Sequence, residues 1–553
     1  MANILTPVSL WSEFDDTLPL EAQVVETKQL ESCTVDFVKF NGRDTGDGRV
    51  KIAAAFAYAQ ESKETILLLP DSNRTIDLEV MKYFVSCGYS VLMVDYRGDW
   101  EGCEFSTKYP DNIVYANTAK VGKSKTQVVD SAAKTCWYEW VGVGLYAGRY
   151  IKERTESDKV AVVGFRDGGE IGWKLCAARQ FSCLVPVSAV GWIAYAGISK
   201  FMPEEQMESE NYLFIAGIDS QAYAPFVKCP VLMVCTTKDK RFDYDRAHDT
   251  FSRINPEYAR NSSICYSIRA GEYISADNCR SMGIFLDKNL KDKPLYIPKL
   301  PEISVEADEE ENLVATVSFD TNAGVEKCDM FLAEENINSA TRDWVRCSPK
   351  GAAGLSEQTF FVDINEKSTT IFLIASVKYS SGFVSWSKVN VKKLSGKFKN
   401  MQKHNRVTYL NSYDSEAFFV ADTSASIGGI IYNDLSLLPT HVQKKSVSGL
   451  YSPCGLSTYR LNNVAFMPAA GNVLSFDVFT DSADKVTVSI VNLQTGEEFF
   501  ATFNVVSGVW QKIIAESKSF KSANGMPLAE FGGDSKLTIN CPDTYAINNI
   551  IWL

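Results

Sequence analysis

Histidine is scarce in this chain. Its 553 residues include only three, His248, His404 and His441, against 24 tyrosines and 31 phenylalanines. Histidine is the usual general base near neutral pH, so few positions are available for that role. The 14 cysteines form no Cys-x-x-Cys pair and no cluster with histidine. The sequence therefore predicts no metal centre and no cofactor.

The chain also lacks a basic excess and long apolar runs. Its formal net charge is -12, which disfavours binding to nucleic acid or to an anionic membrane surface. No run approaches eighteen uncharged apolar residues, so we expect no membrane span. The first residues, MANILTPVSLWSEFDD, carry no basic segment typical of a signal peptide. With many cysteines in apolar patterns, these features predict a cytoplasmic protein, although an exported, oxidised protein remains the alternative.

The pattern of strands and helices divides the chain into three folded parts. Residues 1–293 combine an N-terminal arm and a β-meander with alternating buried strands and helices, which favour a mostly parallel sheet covered on both faces. Residues 294–301 form a proline-rich linker. Residues 302–400 and 401–553 contain only strand signals, at a spacing typical of β-sandwiches. The fold class predicted is therefore an α/β domain followed by two all-β sandwiches.

One stretch in the first part, VAVVGFRDGGEIGWKLC at 160–176, has the order of a nucleophile elbow. Four apolar residues predict a buried strand, the glycines predict a sharp turn, and the following residues predict a helix. In the G-x-S-x-G form of this motif the central residue is a nucleophilic serine. Here the central residue is Arg166, and a guanidinium has no lone pair for attack and stays protonated.

Residues from about 30 to 290 resemble the α/β-hydrolases of the dienelactone hydrolase and acetyl xylan esterase kind. The resemblance rests on GYSVLMVDYRG at 88–98, CWYEW at 136–140, the elbow glycines, and PVLMV at 230–234 leading to an aspartate. Four such segments in the family order imply the α/β-hydrolase fold. They do not imply activity, because activity depends on the site residues.

The resemblance places four catalytic functions on this sequence. Arg166 stands at the nucleophile position, and Glu272 at the position where the family carries the histidine base. Asp239 matches the acid. Pro70 and Asp71 occupy the loop that supplies oxyanion donors, where relatives often have His-Gly. At three of the four positions, the residue present therefore differs chemically from the one that the family carries. We predict that no residue is catalytic.

Two interpretations of these substitutions stand side by side. One is an altered active site with new chemistry; the other, which we favour, is a retired site kept as structure. Loss of nucleophile and base together removes the route for acyl transfer. Arg166 would then pair with Asp239 or Glu272 at about 4 Å, neutralising charges that would otherwise be buried alone. Ser188 and Ser220 lack a histidine partner and Cys176 lies on an apolar helix face, so none of them replaces the nucleophile.

The two β-sandwiches resemble recognition modules. YSSGF at 379–383 resembles the last hairpin of a fibronectin or immunoglobulin-like module, and TYAINNIIWL at 544–553 resembles the closing strand of jelly-roll carbohydrate-binding modules. Sugar binding would need exposed aromatic rings, for which Trp510, Trp552 and Tyr432 are the candidates, although tryptophans within strands are more often core residues. Jelly rolls often carry a structural calcium, but no ligand spacing singles out its residues.

These observations leave three hypotheses for function. The first, which we favour, is a catalytically inactive, hydrolase-like protein with a structural, assembly or binding role, whose partner is a second copy of itself or a glycan. The second is an active carbohydrate esterase that uses displaced residues. The third is a carbohydrate-binding protein that relies on the C-terminal jelly roll.

Overall fold

The structure is a computed structural model. It describes residues 6–60, 62–98, 103–116, 125–203, 206–268, 274–403, 409–411, 415–421, 426–427, 431, 438–532 and 534–553. Glu272 and Tyr432, two of the predicted site residues, lie outside the described residues.

A mixed sheet organises the first domain, and within the described residues it has nine strands in the order β1-β2-β3-β5-β4-β6-β7-β8-β9. The meander at its start is antiparallel, and all pairs from β5 onward are parallel. This order is that of an α/β-hydrolase fold, as predicted. The strands are β1 (Gln23–Gln29), β2 (Thr34–Asp44), β3 (Arg49–Tyr58), β4 (Thr65–Leu69), β5 (Ser90–Asp95), β6 (Val160–Phe165), β7 (Cys183–Val187), β8 (Leu232–Thr236) and β9 (Ser263–Ser267).

Helices connect these strands, and side-chain caps define where several of them begin. Asp77, Thr135 and Ser275 each accept a hydrogen bond from a backbone N–H in the first turn of the following helix. None of the helices in the described part is long and apolar enough to cross a bilayer. The helices are α1 (Pro7–Ser12), α2 (Leu78–Ser86), α3 (Cys136–Thr155), α4 (Asp167–Ala178), α5 (Ser209–Gly217), α6 (Ala247–Phe251), α7 (Pro256–Ala259) and α8 (Ala276–Leu290).

The rest of the described chain is built from antiparallel β-sheets, in agreement with the predicted sandwiches. The middle module pairs β10-β11-β14 in one sheet and β13-β12-β15-β16, with β17 beside β15, in the other. Its strands are β10 (Glu302–Ala307), β11 (Leu313–Ser318), β12 (Val325–Glu334), β13 (Val345–Arg346), β14 (Glu357–Phe361), β15 (Thr370–Tyr379), β16 (Val384–Trp386) and β17 (Asn390–Lys393).

The C-terminal module has two further sheets, β20-β21-β29-β23-β26 with β18 beside β29, and β19-β22-β28-β24-β25-β27. Its strands are β18 (Tyr409–Leu410), β19 (Phe419–Val420), β20 (Thr440–Lys444), β21 (Val447–Tyr451), β22 (Leu456–Thr458), β23 (Leu474–Thr480), β24 (Lys485–Asn492), β25 (Glu498–Asn504), β26 (Gln511–Ala515), β27 (Lys521–Ser522), β28 (Ser535–Asn540) and β29 (Tyr545–Trp552).

The middle module shares a hydrophobic core with the first domain. Phe331, Trp344, Phe372 and Trp386 belong to the same buried cluster as the residues of the large sheet. A second set of apolar residues forms the separate core between the two sheets of the middle module. The middle module packs against the edge strand β9 and against residues 238–245, which follow β8, and this shared core must open if the two domains part.

Candidate functional site

The nucleophile elbow is present, with Arg166 at its tip. Arg166 follows β6 directly and precedes α4, with φ 52° and ψ -116°. A positive φ at a residue with a Cβ is strained, and such strain is typical of functional turns. The backbone geometry of a hydrolase is therefore retained around a side chain that cannot act as a nucleophile.

Glycines allow the elbow to pack this tightly. A Cβ at Gly168 would overlap the carbonyl oxygens of Leu69 and Pro70, and one at Gly169 would overlap the Ala189 side chain. The first turn of α4 thus lies directly against the loop after β4. That contact brings the elbow and the predicted oxyanion loop together.

Gly168→Ala is expected to lower the free energy of unfolding by about 3 kcal/mol, because backbone carbonyls cannot move away from the added methyl group. Gly283→Ala is the matched control. Gly283 lies within α8, and a methyl group added there would have no other atom within 4 Å, so alanine should stabilise the protein by about 0.5–1 kcal/mol. Urea unfolding of both variants measures the two effects. Equal changes in the free energy of unfolding would contradict the packing described.

Of the two predicted partners of Arg166, Asp239 is confirmed. Nη2 of Arg166 lies 3.8 Å from Oδ2 of Asp239, with the two side chains 14% and 2% exposed. Oδ1 of Asp239 accepts hydrogen bonds from the backbone N–H groups of Arg241 and Phe242, at 2.8 and 3.1 Å. The acid position therefore holds a carboxylate next to a fixed cation. The alternative pairing with Glu272 lies outside the described residues.

The loop predicted to supply oxyanion donors places a carboxylate next to the elbow. In hydrolases with this kind of elbow, the backbone N–H after the nucleophile donates to the oxyanion. Here that group, the N–H of Asp167, donates to Oδ1 of Asp71 at 3.4 Å, and the N–H of Ser72 donates to the same oxygen at 2.8 Å. Burial raises the pKa of Asp71, and the Asp167 charge adds to the rise. Asp71 therefore accepts the hydrogen bond that a substrate oxyanion would need from the Asp167 N–H.

Asp167 joins the elbow to two further cations that the sequence did not point to. Arg241 donates to Asp167 through Nη2 and lies 3.4 Å from Asp71 through Nη1. Nζ of Lys125 lies 2.5 Å from Oδ2 of Asp167. Burial alone would raise the pKa of Asp167, but Arg241 and Lys125 hold it well below the usual range of an aspartate. The result is a network of alternating charges across the site.

One hydroxyl lies in this network. Ser72 donates to Asp167 and accepts from Nζ of Lys125 at 2.9 Å. Lys125 donates both to Ser72 and to Asp167, so its ammonium group is engaged as a donor in this network. Ser72 is the hydroxyl that a displaced mechanism would have to use, so its replacement tests such a mechanism.

A second serine contacts a lysine, away from the elbow tip. Nζ of Lys174 donates to Oγ of Ser220 at 3.0 Å, so the serine for which no histidine partner was expected has a lysine partner. Both residues are fully buried, as is Cys176 on the same helix. A substrate could not reach them, so this pair is part of the core and not a reactive site.

The two described aromatic residues that were candidates for sugar binding make contacts within the fold. Trp552 is only 1% exposed and packs on Phe531 in the C-terminal core, so the candidate sugar-stacking role for its ring is wrong. Trp510 is half-buried, and its Nε1–H donates to the Lys444 carbonyl at 2.8 Å. Among the described residues no group of three or more His, Cys, Asp or Glu side chains is arranged to hold a metal. The optional calcium of a jelly roll stays a prediction.

Similarity to known proteins is found among solved structures. No family profile and no curated protein matches the chain. Solved structures with similar folds include the acetyl xylan esterase from Paenibacillus sp. R4, which is 16% identical, with 51% of this chain and 92% of that chain covered and a TM-score of 0.39. Acetyl xylan esterase 1 from Thermoanaerobacterium sp. JW/SL YS485 is also 16% identical, with 51% and 90% covered and a TM-score of 0.35. A cold-adapted esterase from an Arctic intertidal metagenomic library is 14% identical, with 44% and 86% covered and a TM-score of 0.28. At these identities the likeness concerns the fold of the first domain.

Proposed function

We propose that this protein is a catalytically inactive, hydrolase-like protein that acts by binding or assembly. The observation that carries the proposal is the filled site: Arg166 and Asp239 stand where nucleophile and acid would be, and Asp71 occupies the oxyanion donor. Acyl transfer needs a nucleophile, a base and a free oxyanion site together. Each described position is instead used in an internal contact.

The joined β modules support a binding role for this protein. The middle and C-terminal modules line a cavity at the carboxyl end of the large sheet, and a cavity with walls from several domains is typical of ligand sites. We also propose a cytoplasmic location, supported by fourteen free cysteines, most of which are buried. Partners within this proposal are a second copy of the chain or a small molecule, a glycan included.

Hydrolysis of a general acetyl ester, p-nitrophenyl acetate, tests the proposal. We expect the wild-type protein and the Arg166→Ala variant to give the same rate, equal to that of the Lys512→Ala control on the distant C-terminal module. The reason is that removing Arg166 removes no catalytic group. A wild-type rate at least about a hundredfold above that of buffer without protein, kept by Lys512→Ala and lost on Ser72→Ala, would contradict the proposal and support a displaced esterase mechanism, since general catalysis contributes at least that factor.

A further inference from the structure

The charged side chains around the elbow differ in how deeply they are buried. Asp71, Asp167 and Asp239 have side chains that are 3%, 0% and 2% exposed. Among the described residues that pair with them, Lys125 is 29% exposed and Arg241 is 30% exposed, with Arg166 at 14%. The carboxylates are therefore the buried members of this cluster and the cations are the more exposed ones. In a chain with a net charge of -12, the three carboxylates here are balanced by three cations.

A cavity of about 420 Å³ is lined by Arg241, one of these cations. Asp239, Lys240 and Arg241 line one wall, and the aromatic residues Trp192 and Tyr195 line another. The middle module contributes residues 338–341, and the C-terminal module contributes 493–494 and Asp534. Cavities of this size hold small molecules, and low-dielectric walls focus the field of the cations that line them.

Lys240 on the cavity wall interacts electrostatically with Lys536 of the C-terminal module. Neither Lys240 nor Lys536 has a salt-bridge partner among the described residues, and Lys240 is exposed. Burial lowers the pKa of Lys536 and the charge of Lys240 lowers it further, with Glu498 opposing. Two like charges that interact in the folded protein favour an anion from solution.

The acids that line the cavity are already engaged. Asp243 accepts from the Ser339 hydroxyl at 2.7 Å and from the Lys200 N–H at 2.7 Å, and Asp239 is paired with the elbow arginine. Asp534 accepts from the Gln494 amide at 3.2 Å. Lysine and arginine carry three and five donors, so Lys125 and Arg241 keep N–H groups beyond those that reach Asp71, Asp167 and Ser72.

We propose that this cleft binds a small molecule bearing an oxyanion, a phosphate or a carboxylate, through Lys240 and Arg241 on the cavity wall. The inference rests on the binding role in the proposed function and names the class of ligand that the cavity takes. Arg241 is held in place by Asp167 and Asp71, so its guanidinium is pre-organised for a planar oxyanion. Lys240 supplies a mobile charge at the entrance.

Isothermal titration calorimetry of the full chain with inorganic phosphate, and separately with acetate, tests this inference against sodium chloride at equal ionic strength. We expect one of the two anions to bind in a saturable way and Lys240→Gln to weaken that binding about tenfold, as for loss of a charged hydrogen bond. The anion that binds more tightly, phosphate or acetate, shows whether the site takes a phosphate or a carboxylate group. Lys512→Gln is the control, with the same charge change on the exposed strand β26.

Absence of saturable binding by both anions, or equal binding by wild type and Lys240→Gln, would overturn the inference. Lys240 is exposed and makes no ion pair in the described structure, so its variant should fold, and its thermal unfolding midpoint checks this. Arg241→Gln provides a second variant with a larger expected loss. Calorimetry does not depend on turnover, so anion binding together with ester hydrolysis would refute the proposed function and leave the anion site standing.

Discussion

Arg342→Ala is expected to lower the free energy of unfolding by about 3–5 kcal/mol, because it leaves the Asp245 carboxylate buried without its counter-charge. Arg342 lies in the middle module and Asp245 in the first domain. Nη1 and Nη2 of Arg342 donate to Oδ1 and Oδ2 of Asp245 at 2.8 and 2.9 Å, and both side chains are 0% exposed. Chemical denaturation followed by tryptophan fluorescence measures the loss.

The surroundings of this pair explain why the effect should be large. Arg342 also donates to the Tyr244 hydroxyl at 3.1 Å, and the Trp344 indole N–H donates to the same hydroxyl at 3.2 Å. The neighbouring Asp343 accepts from Asn463 of the C-terminal module at 3.1 Å. One short segment thus links all three parts of the chain.

Arg74→Ala is the matched control for this prediction. Arg74 pairs with Asp77 at 3.9 Å on the surface, with side chains 42% and 25% exposed, and such pairs contribute at most about 1 kcal/mol. If Arg342→Ala lowers the free energy of unfolding by no more than Arg74→Ala does, this contact does not hold the modules together. The shape of the cavity at their junction would then be variable.

Glu170→Gln is expected to remove a pH dependence of stability that the wild-type protein shows between about pH 4.5 and 7. Glu170, Lys174 and Asp219 are fully buried together behind the elbow. Burial raises the pKa of Glu170 to about 7, with Lys174 opposing and Asp219 adding to the rise. Oε1 of Glu170 accepts from the Gly191 N–H at 2.9 Å, and Oε2 has no hydrogen-bond partner in the described structure.

The sign of the effect follows from proton binding. In the unfolded chain Glu170 titrates near its ordinary value of 4.5, whereas the folded protein keeps the proton to about pH 7. The stabilisation is therefore complete below pH 4.5 and is lost as the pH rises through 7. Its size is on the order of 3 kcal/mol, because each tenfold change in proton affinity is equivalent to about 1.4 kcal/mol.

Urea unfolding at pH 5 and pH 7.5 measures this dependence in wild type, Glu170→Gln and Glu79→Gln. The Glu79 side chain is 69% exposed on α2, so its variant should follow the wild type. Glu170→Gln should show the smaller loss of stability between the two pH values. An unchanged loss in Glu170→Gln would mean that Glu170 is ionised in the folded protein.

The sequence was sufficient to predict the elbow, and it named Asp239 as one of two partners for Arg166. Strand, glycines and helix are local signals, and the order of the segments places Asp239 at the same edge of the sheet. The parts that were missed are long-range. Arg241 reaches Asp167 across 74 positions and Lys125 reaches it across 42, and nothing local marks either contact. The acid directly after Arg166 was the signal that could have prompted a search for a second cation.

The same distinction explains the β modules. Alternation of polar and apolar residues predicts strands, so the sandwiches were expected from the sequence. Alternation does not tell whether an aromatic residue in a strand faces the core or the solvent, and Trp552 lies in the core. The contact between Arg342 and Asp245 joins residues 97 positions apart in different domains, so no pattern within either domain predicts it.

Covalent labelling with a fluorophosphonate probe tests the central claim most directly, because such probes react with activated serine nucleophiles whatever the preferred substrate. We predict that the intact mass of the folded protein stays unchanged after incubation, as expected for a site whose positions hold Arg166, Asp239 and Asp71 in internal contacts. A single stoichiometric adduct, mapped to one serine near the elbow and absent in Ser72→Ala, would contradict it.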